Sequence, residues 1–215
     1  MTFEFFDRAM DIRVTAGNLP HWFQPGVTYF ITWRTDDSIP RDVLDLWVRR
    51  RNEWLRRHGI EPSQPRWSAR LEELSVAQQC DFHNTFSREF LEYLDRGHGA
   101  CVLRKAELAA IVAESLRRFD GQRYLLGDFV VMPNHVHVLA CLQGATDVLE
   151  QCYSWKRYMT TKTNRAMGRQ GRFWHEESFD HLVRGPEQFD RLRLYIADNP
   201  REAGLLPGEY LYCRM

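Results

Sequence analysis

The stretch MPNHVHVLACL, residues 132–142, is an apolar run typical of a β-strand, and in it His135 and His137 flank a single valine. Because side chains alternate between the two faces of a strand, both imidazoles point to the same face. The opposite face is continuously apolar and would pack into a core, which holds the histidines on a rigid element. Since imidazole is the commonest metal ligand in proteins, the pair can bind one metal ion. From the spacing alone, two polar residues on the solvated face of an antiparallel sheet remain an equally open interpretation.

Composition restricts the class of protein. The chain has 215 residues, of which 44% are hydrophobic and 27% are charged, and this length suffices for one sizeable core. No apolar run has the length of a signal peptide or of the roughly 20 residues that a membrane span needs, so we expect a cytoplasmic protein without a membrane partner. The cysteines are scattered without a Cys-x-x-Cys pair, which predicts neither a disulfide framework nor a zinc ribbon.

The charge is balanced overall but unevenly distributed. The 29 basic and 29 acidic residues cancel, which argues against a protein built to sit on nucleic acid. Between residues 154 and 172, however, there are six basic residues and no acidic one, and two aromatic residues lie among them. This combination suits phosphate contacts together with base stacking, although a solvated helix face would look the same. The candidate DNA-binding residues are Trp155, Lys156, Arg157, Tyr158, Lys162, Arg165, Arg169 and Arg172.

Periodicity along the chain predicts the order of the elements. Strands are expected at 26–35, 124–132, 132–142 and 173–183, and helices at 104–119, at 146–167 and from Pro186 to the Asn199-Pro200 stop. This order favours an α+β fold with a ferredoxin-like or RRM-like antiparallel sheet, helices on one face, and the last helix free to lie across the histidine face. We expect one domain over residues 1–215, with residues 36–100, which hold two helical segments, as a helical insertion in it.

The last predicted helix carries a second pair of candidate residues. Tyr195 and Asn199 are four positions apart, so they lie on neighbouring turns of one helix face. A nucleophilic phenol and an amide oxygen could therefore face the same ion as the histidines. The alternatives stay open: Tyr195 can be a core aromatic on an apolar stripe, and Asn199 can be a helix cap before Pro200.

Two blocks of the sequence resemble a known family. MPNHVHVLA resembles the HUH signature of the REP-associated tyrosine transposases, which belong to the single-tyrosine HUH transposases. RFWHEESFDHLVR, followed by LYIADNPREAGL, resembles their C-terminal block, and LDRGHGACVL extends the similarity upstream, so that it covers about residues 90–207. Residues 36–89 are additional to what a minimal HUH core contains. The resemblance implies a single HUH transposase-like domain.

The resemblance also implies an activity, namely cleavage and joining of single-stranded DNA at repeated extragenic palindromes that fold as hairpins. A Mg²⁺ or Mn²⁺ ion held by His135, His137 and Asn199 would polarise the scissile phosphate. Tyr195 would attack this phosphate, leaving a 5′-phosphotyrosine and a free 3′-hydroxyl, and a second 3′-hydroxyl could reverse the step without a nucleotide cofactor. Such an enzyme would work in the bacterial cytoplasm at the nucleoid, as a monomer rather than a homodimer, and without an obligate protein partner.

Several alternatives compete with this interpretation. Tyr158 is the second candidate for the nucleophile, and His175 and His181 are further candidate ligands. Histidine-triad nucleotide hydrolases also carry alternating histidines on a strand, but this chain has Leu139 at the third histidine position. A non-enzymatic alternative is a domesticated hairpin-DNA-binding protein in which cleavage is not required.

Overall fold

A computed structural model describes residues 2–16, 20–64, 67, 69–71, 73–144 and 146–215. The strands are β1 (Arg13–Ala16), β2 (Pro20–Phe23), β3 (Thr28–Arg34), β4 (Tyr124–Val131), β5 (His135–Leu142), β6 (Phe179–Leu182) and β7 (Leu211–Cys213). The helices are α1 (Arg41–Arg57), α2 (Val76–Phe82), α3 (Glu89–Asp95), α4 (Ala106–Arg117), α5 (Val148–Met167) and α6 (Pro186–Glu202). A π-helical segment, His83–Arg88, joins α2 to α3.

The strands β3 to β7 form one antiparallel sheet in the order β6-β3-β5-β4-β7, and β1 pairs with β2 in a separate hairpin. When α1 to α3 are set aside, the elements from β3 to β6 follow the βαββαβ sequence of a ferredoxin-like fold. The prediction of an α+β fold with an antiparallel sheet is therefore confirmed.

One face of the sheet is covered by α4 and α5. The main core lies between these two helices and the sheet. Its buried members include Trp33 and Val138 from the sheet, Val112 and Leu116 from α4, and Met159 from α5. The helical spacing of apolar residues in α4 thus predicted its buried stripe correctly.

The opposite face of the sheet carries His135 and His137, and α6 lies across it. Phe30, Val130 and Leu139 of this face pack with Ile196 of α6 in a second apolar cluster. As a result, both histidines have a relative exposure of 0%. The interpretation that they are polar residues on a solvated sheet face is therefore wrong, because a helix covers that face.

The segment between β3 and α4 has a small core of its own. This core contains aromatic and aliphatic side chains from α1, α2, the π-helical segment and the stretch between α1 and α2. Its buried members are Trp54, Leu55, Ile60, Trp67, Leu71, Phe82 and Phe86. Two helical segments were expected here, and the structure contains them as α1 and as α2 to α3. The division of the chain into one domain with an insertion at 36–100 remains a prediction.

Some element boundaries differ from the predictions. Helix α6 continues past Asn199-Pro200 to Glu202, because a proline in the last turn removes only one backbone hydrogen bond of the helix. The predicted extended stretch at 173–183 forms a strand only at Phe179–Leu182. The short strands β1, β2 and β7 were not predicted. Among the described residues, no helix is both long enough and apolar enough to cross a membrane.

Candidate metal centre

Three side chains from two elements converge on the covered face of the sheet. His135 and His137 come from β5, and Asp95 comes from the last residue of α3. The Nε2 atom of His135 lies 3.0 Å from Nε2 of His137 and 3.3 Å from Oδ1 of Asp95. The three ligand atoms all lie within 4.8 Å of one another. Two imidazole nitrogens and one carboxylate oxygen form a known donor set for divalent transition metals, so this group could hold an ion.

The sheet fixes the orientation of both imidazoles. The Nδ1 atom of His137 lies 2.7 Å from Oγ1 of Thr32, its cross-strand neighbour on β3. The Nδ1 atom of His135 lies 2.7 Å from Oδ1 of Asn134, whose amide in turn donates to the carbonyl of His98 at 2.9 Å. When Nδ1 is held in this way, Nε2 is left as the ligand atom, an arrangement common among metal-bound histidines.

Burial also sets the protonation state of His137. Burial lowers the pKa of His137 well below its usual value, and the nearby imidazole of His135 lowers it further. His137 is consequently neutral at neutral pH, which is the form that binds a metal ion.

Helix α6 brings Tyr195 and Asn199 to the same place. The ring of Tyr195 lies edge-on to His137 with ring centroids 5.3 Å apart. The Nδ2 atom of Asn199 donates to Oδ1 of Asp95 at 3.3 Å. The structure therefore places these two residues around the Asp95, His135 and His137 cluster, each on the face of α6 that meets the sheet.

Two polar atoms of this region have no hydrogen-bond partner among the described residues, namely Oη of Tyr195 and Oδ1 of Asn199, and both are buried. Buried polar atoms without partners cost free energy, so a ligand that contacted these two atoms would stabilise the site. Burial raises the pKa of Tyr195 well above its usual value, and the charge of Asp95 raises it further. The phenol is therefore protonated in this conformation.

Asp95 was not predicted from the sequence. It ends α3, far along the chain from the histidine strand, and no spacing rule connects the two. The one available signal was its position in LDRGHGACVL, the stretch that resembles the transposase family.

Trp155 does not have the position predicted for it. Its side chain is 2% exposed, its ring stacks on Trp33 at 5.8 Å, and its Nε1 donates to the hydroxyl of Tyr124 at 3.0 Å. The expectation that Trp155 stacks on a DNA base is therefore corrected: an apolar stripe of α5 faces the sheet, and Trp155 belongs to that stripe.

Lys156 is also largely buried, and its Nζ donates to the carbonyls of His175 and Glu176 at 3.1 and 3.0 Å. Burial lowers the pKa of Lys156 to about 8.

The other basic residues of this segment are exposed, and they are Arg157, Lys162, Arg165, Arg169 and Arg172. Helix α5 packs on the face of the sheet opposite to the histidines. Its C-terminal end nevertheless approaches the end of β3, since Arg169 and Arg172 line a small cavity together with Thr35. The backbone amide of Thr35 donates to the carbonyl of Asn134 at 2.8 Å, next to His135. Arg169 and Arg172 are therefore at the end of the sheet at which the histidine strand begins.

The alternative candidates lie outside the cluster. The hydroxyl of Tyr158 contacts the guanidinium of Arg118 at 3.3 Å on the α4–α5 side of the molecule. The ring of His175 accepts from the backbone N–H of Glu177, and burial lowers its pKa to about 4. The ring of His181 lies 2.7 Å from the side-chain amide of Gln188. Among the described residues, neither His175 nor His181 is part of the group that could hold a metal ion.

Comparison with known proteins gives a similarity in fold to a solved structure. No protein-family profile matches the chain, and no curated protein sequence matches it. The fold is similar to that of a REP-associated tyrosine transposase that was solved bound to a REP hairpin, with 14% sequence identity and a TM-score of 0.44. The similarity covers 86% of this chain and 73% of that chain.

Proposed function

We propose that the protein is a metal-dependent enzyme that nicks and rejoins single-stranded DNA beside a hairpin, with Tyr195 as the nucleophile. The observation that carries the proposal is the placement of Tyr195 against His137, next to the group formed by Asp95, His135 and His137. A phenol beside a cluster of metal-ligating side chains is one arrangement that can perform covalent phosphoryl transfer.

Asp95, His135 and His137 are the proposed metal ligands, and Oδ1 of Asn199 is the proposed fourth. The buried, unpartnered Oδ1 atom of Asn199 and the two oriented imidazoles fit such an ion. A bound divalent ion would supply Lewis-acid polarisation of a phosphoryl oxygen. Mg²⁺ and Mn²⁺ are the candidates, and the two imidazole ligands favour Mn²⁺.

Tyr195 would carry the strand during the reaction. Its Oη gives up its proton and forms a bond to phosphorus while the bond from phosphorus to the 3′ oxygen breaks. The departing 3′ oxygen takes up one proton, which balances the proton that the phenol lost. The strand end is then held as a 5′-phosphotyrosine, from which a second 3′-hydroxyl can reseal the DNA. Because burial and Asp95 keep the phenol protonated, positive charge at the site is needed to make Tyr195 reactive.

The exposed cations that follow α5 are the proposed phosphate contacts. Arg169 and Arg172 lie nearest to the histidine end of the sheet, and Arg157, Lys162 and Arg165 extend the same basic surface along α5. Lys156 is held by two carbonyls, so we assign it to positioning the loop after Trp174. A long basic surface of this kind binds the DNA backbone without reading sequence.

We also propose a monomer without an obligate protein partner, because Tyr195 lies against His137 of the same chain and does not need a second subunit to reach the site. With DNA as the substrate, the protein would act in the cytoplasm at the nucleoid.

The second candidate function is binding of hairpin DNA without required cleavage. The observation that favours it is the buried hydroxyl of Tyr195, which a phosphate cannot reach unless α6 or the end of α3 moves. The two candidates differ in one product, the covalent adduct between protein and DNA.

The adduct assay tests the proposal. Purified protein is incubated with Mn²⁺ and a hairpin oligonucleotide that has single-stranded flanks and a label at its 3′ end, and the products are separated on a denaturing gel. We expect a labelled adduct with the wild type and with the control variant Tyr158→Phe, and none with Tyr195→Phe, which should still bind the DNA. An adduct that persists in Tyr195→Phe would refute the assignment. Binding without an adduct in Mg²⁺ and in Mn²⁺ would favour the second candidate.

A further inference from the structure

A cavity of about 410 Å³ lies at the β6 edge of the sheet, and its volume is that of a ligand site. It is bounded by β6, by β2 and by the helices α1 to α3. Its walls are largely aromatic and include Trp22, Trp47, Trp67, Phe86, Phe90 and Phe179. The described lining contains none of the three residues of the metal cluster, so the cavity is a separate feature of the molecule.

The cavity is positively charged as well as aromatic. Arg51 is 4% exposed, and its guanidinium lies over the rings of Trp47 and Trp67 at 5.3 and 5.1 Å. Arg8 and Arg184, which also line the cavity, are exposed at its mouth. The acid in the described lining is Asp180, and this carboxylate is engaged by the ring of His21. The cavity therefore suits a flat ligand that carries negative charge.

We propose that this cavity binds an unpaired base of the DNA strand, with the flanking phosphates on Arg8 and Arg184. Aromatic rings hold any base by its face, and this is how single-stranded nucleic acid is bound without reading sequence. A purely apolar ligand would gain nothing from the arginines. The inference rests on the proposed function, because it supplies a position for DNA next to the cleavage site.

The position of the cavity fits this role. Helix α3 carries Phe90 in the cavity wall and Asp95 in the metal cluster, about 7.5 Å apart along the helix axis. Phe179 of β6 pairs with Thr32 of β3, which in turn contacts His137 of β5, so the cavity wall and the cluster are two strand spacings, roughly 10 Å, apart. A strand with its scissile phosphate at the cluster can therefore place a nearby base in the cavity.

The test couples a cavity residue to one base. Full-length protein is titrated against fluorescent hairpin oligonucleotides whose single-stranded flank carries one abasic site, moved position by position, and Kd is measured by anisotropy in EDTA. We expect one abasic position to weaken wild-type binding about tenfold. Trp47→Ala should weaken binding of the intact oligonucleotide by about the same factor, and that abasic site should then have no further effect. The control Tyr153→Ala, which removes an aromatic ring that is 67% exposed on α5, should keep the wild-type pattern.

A second variant is needed if Trp47→Ala does not fold correctly. Circular dichroism and thermal melting would reveal such misfolding. Arg184→Ala removes an exposed side chain at the mouth and should lower the salt dependence of binding by about one released counterion. If adducts form on Tyr195 but neither variant nor any abasic site shows these effects, the cavity does not bind DNA while the proposed function stands. If the oligonucleotides do not bind at all, both proposals fail. A cavity that instead takes a peptide would leave DNA affinity unchanged in both variants.

Discussion

Replacing Thr32 by valine would test whether the sheet prepares His137 for a metal ion. The Oγ1 atom of Thr32 lies 2.7 Å from Nδ1 of His137, and both side chains are buried. Valine has nearly the same shape but no hydroxyl, so the ring of His137 would lose the partner that fixes its orientation. Loss of such an outer contact typically costs about 10- to 100-fold in metal affinity, which corresponds to about 1.4 to 2.7 kcal/mol.

The strand offers a matched control for this change. Thr28 is also buried on β3, and its hydroxyl also makes one side-chain hydrogen bond, which it donates to the carbonyl of Glu4 at 2.6 Å. Thr32→Val and Thr28→Val should both lower the free energy of unfolding by about 1 to 3 kcal/mol. Only Thr32→Val should weaken Mn²⁺ binding, measured by isothermal titration calorimetry at pH 7.5. Equal Mn²⁺ affinities for Thr32→Val and the wild type, or equal losses in both variants, would refute the reasoning.

Three further predictions follow from the same contacts. Asp95→Asn keeps the shape of the side chain but removes the carboxylate charge. Mn²⁺ affinity should therefore fall at least tenfold, which is the lower limit expected for losing a residue that only orients a ligand. Titration calorimetry measures this loss. Without metal, the protein should lose stability as the pH falls below about 6.5, because His137 and His175 take up protons more readily in the unfolded chain than in the folded one. Urea unfolding at pH 7.5 and at pH 5.5 measures this loss. An equal free energy of unfolding at both pH values would contradict the prediction. Trp155→Ala should destabilise the fold by about 3 to 5 kcal/mol and leave the salt dependence of DNA binding unchanged. Arg172→Ala should instead reduce that salt dependence. The opposite pattern in salt titrations of DNA binding would mean that Trp155 does contact DNA.

The sequence predicted those parts of the site that depend on local geometry. The alternation of a strand placed His135 and His137 on one face, and the periodicity of a helix placed Tyr195 and Asn199 on one face. These relations hold because each pair lies within a single element, where the backbone alone sets the direction of the side chains. The order of the main strands and helices could be predicted for the same reason.

Contacts between distant elements could not be predicted in this way. Asp95 joins the histidines only because the segment between β3 and α4 folds back onto the sheet, and no local pattern encodes that return. The burial of Trp155 was missed because a basic, amphipathic helix does not show which of its aromatic residues faces the core. The short edge strand β7 depends on pairing with β4, a partner that lies far away in the sequence.

The amino-acid sequence by itself therefore determined the α+β class, the paired imidazoles and the pairing of a phenol with an amide on one helix. Only the tertiary structure decided that α6 covers the histidine face, that a carboxylate from α3 completes the cluster, and that an aromatic cavity opens beside it. The physical reason is that hydrogen-bonded periodicity acts over a few residues, whereas the choice of packing partner is a property of the whole buried surface.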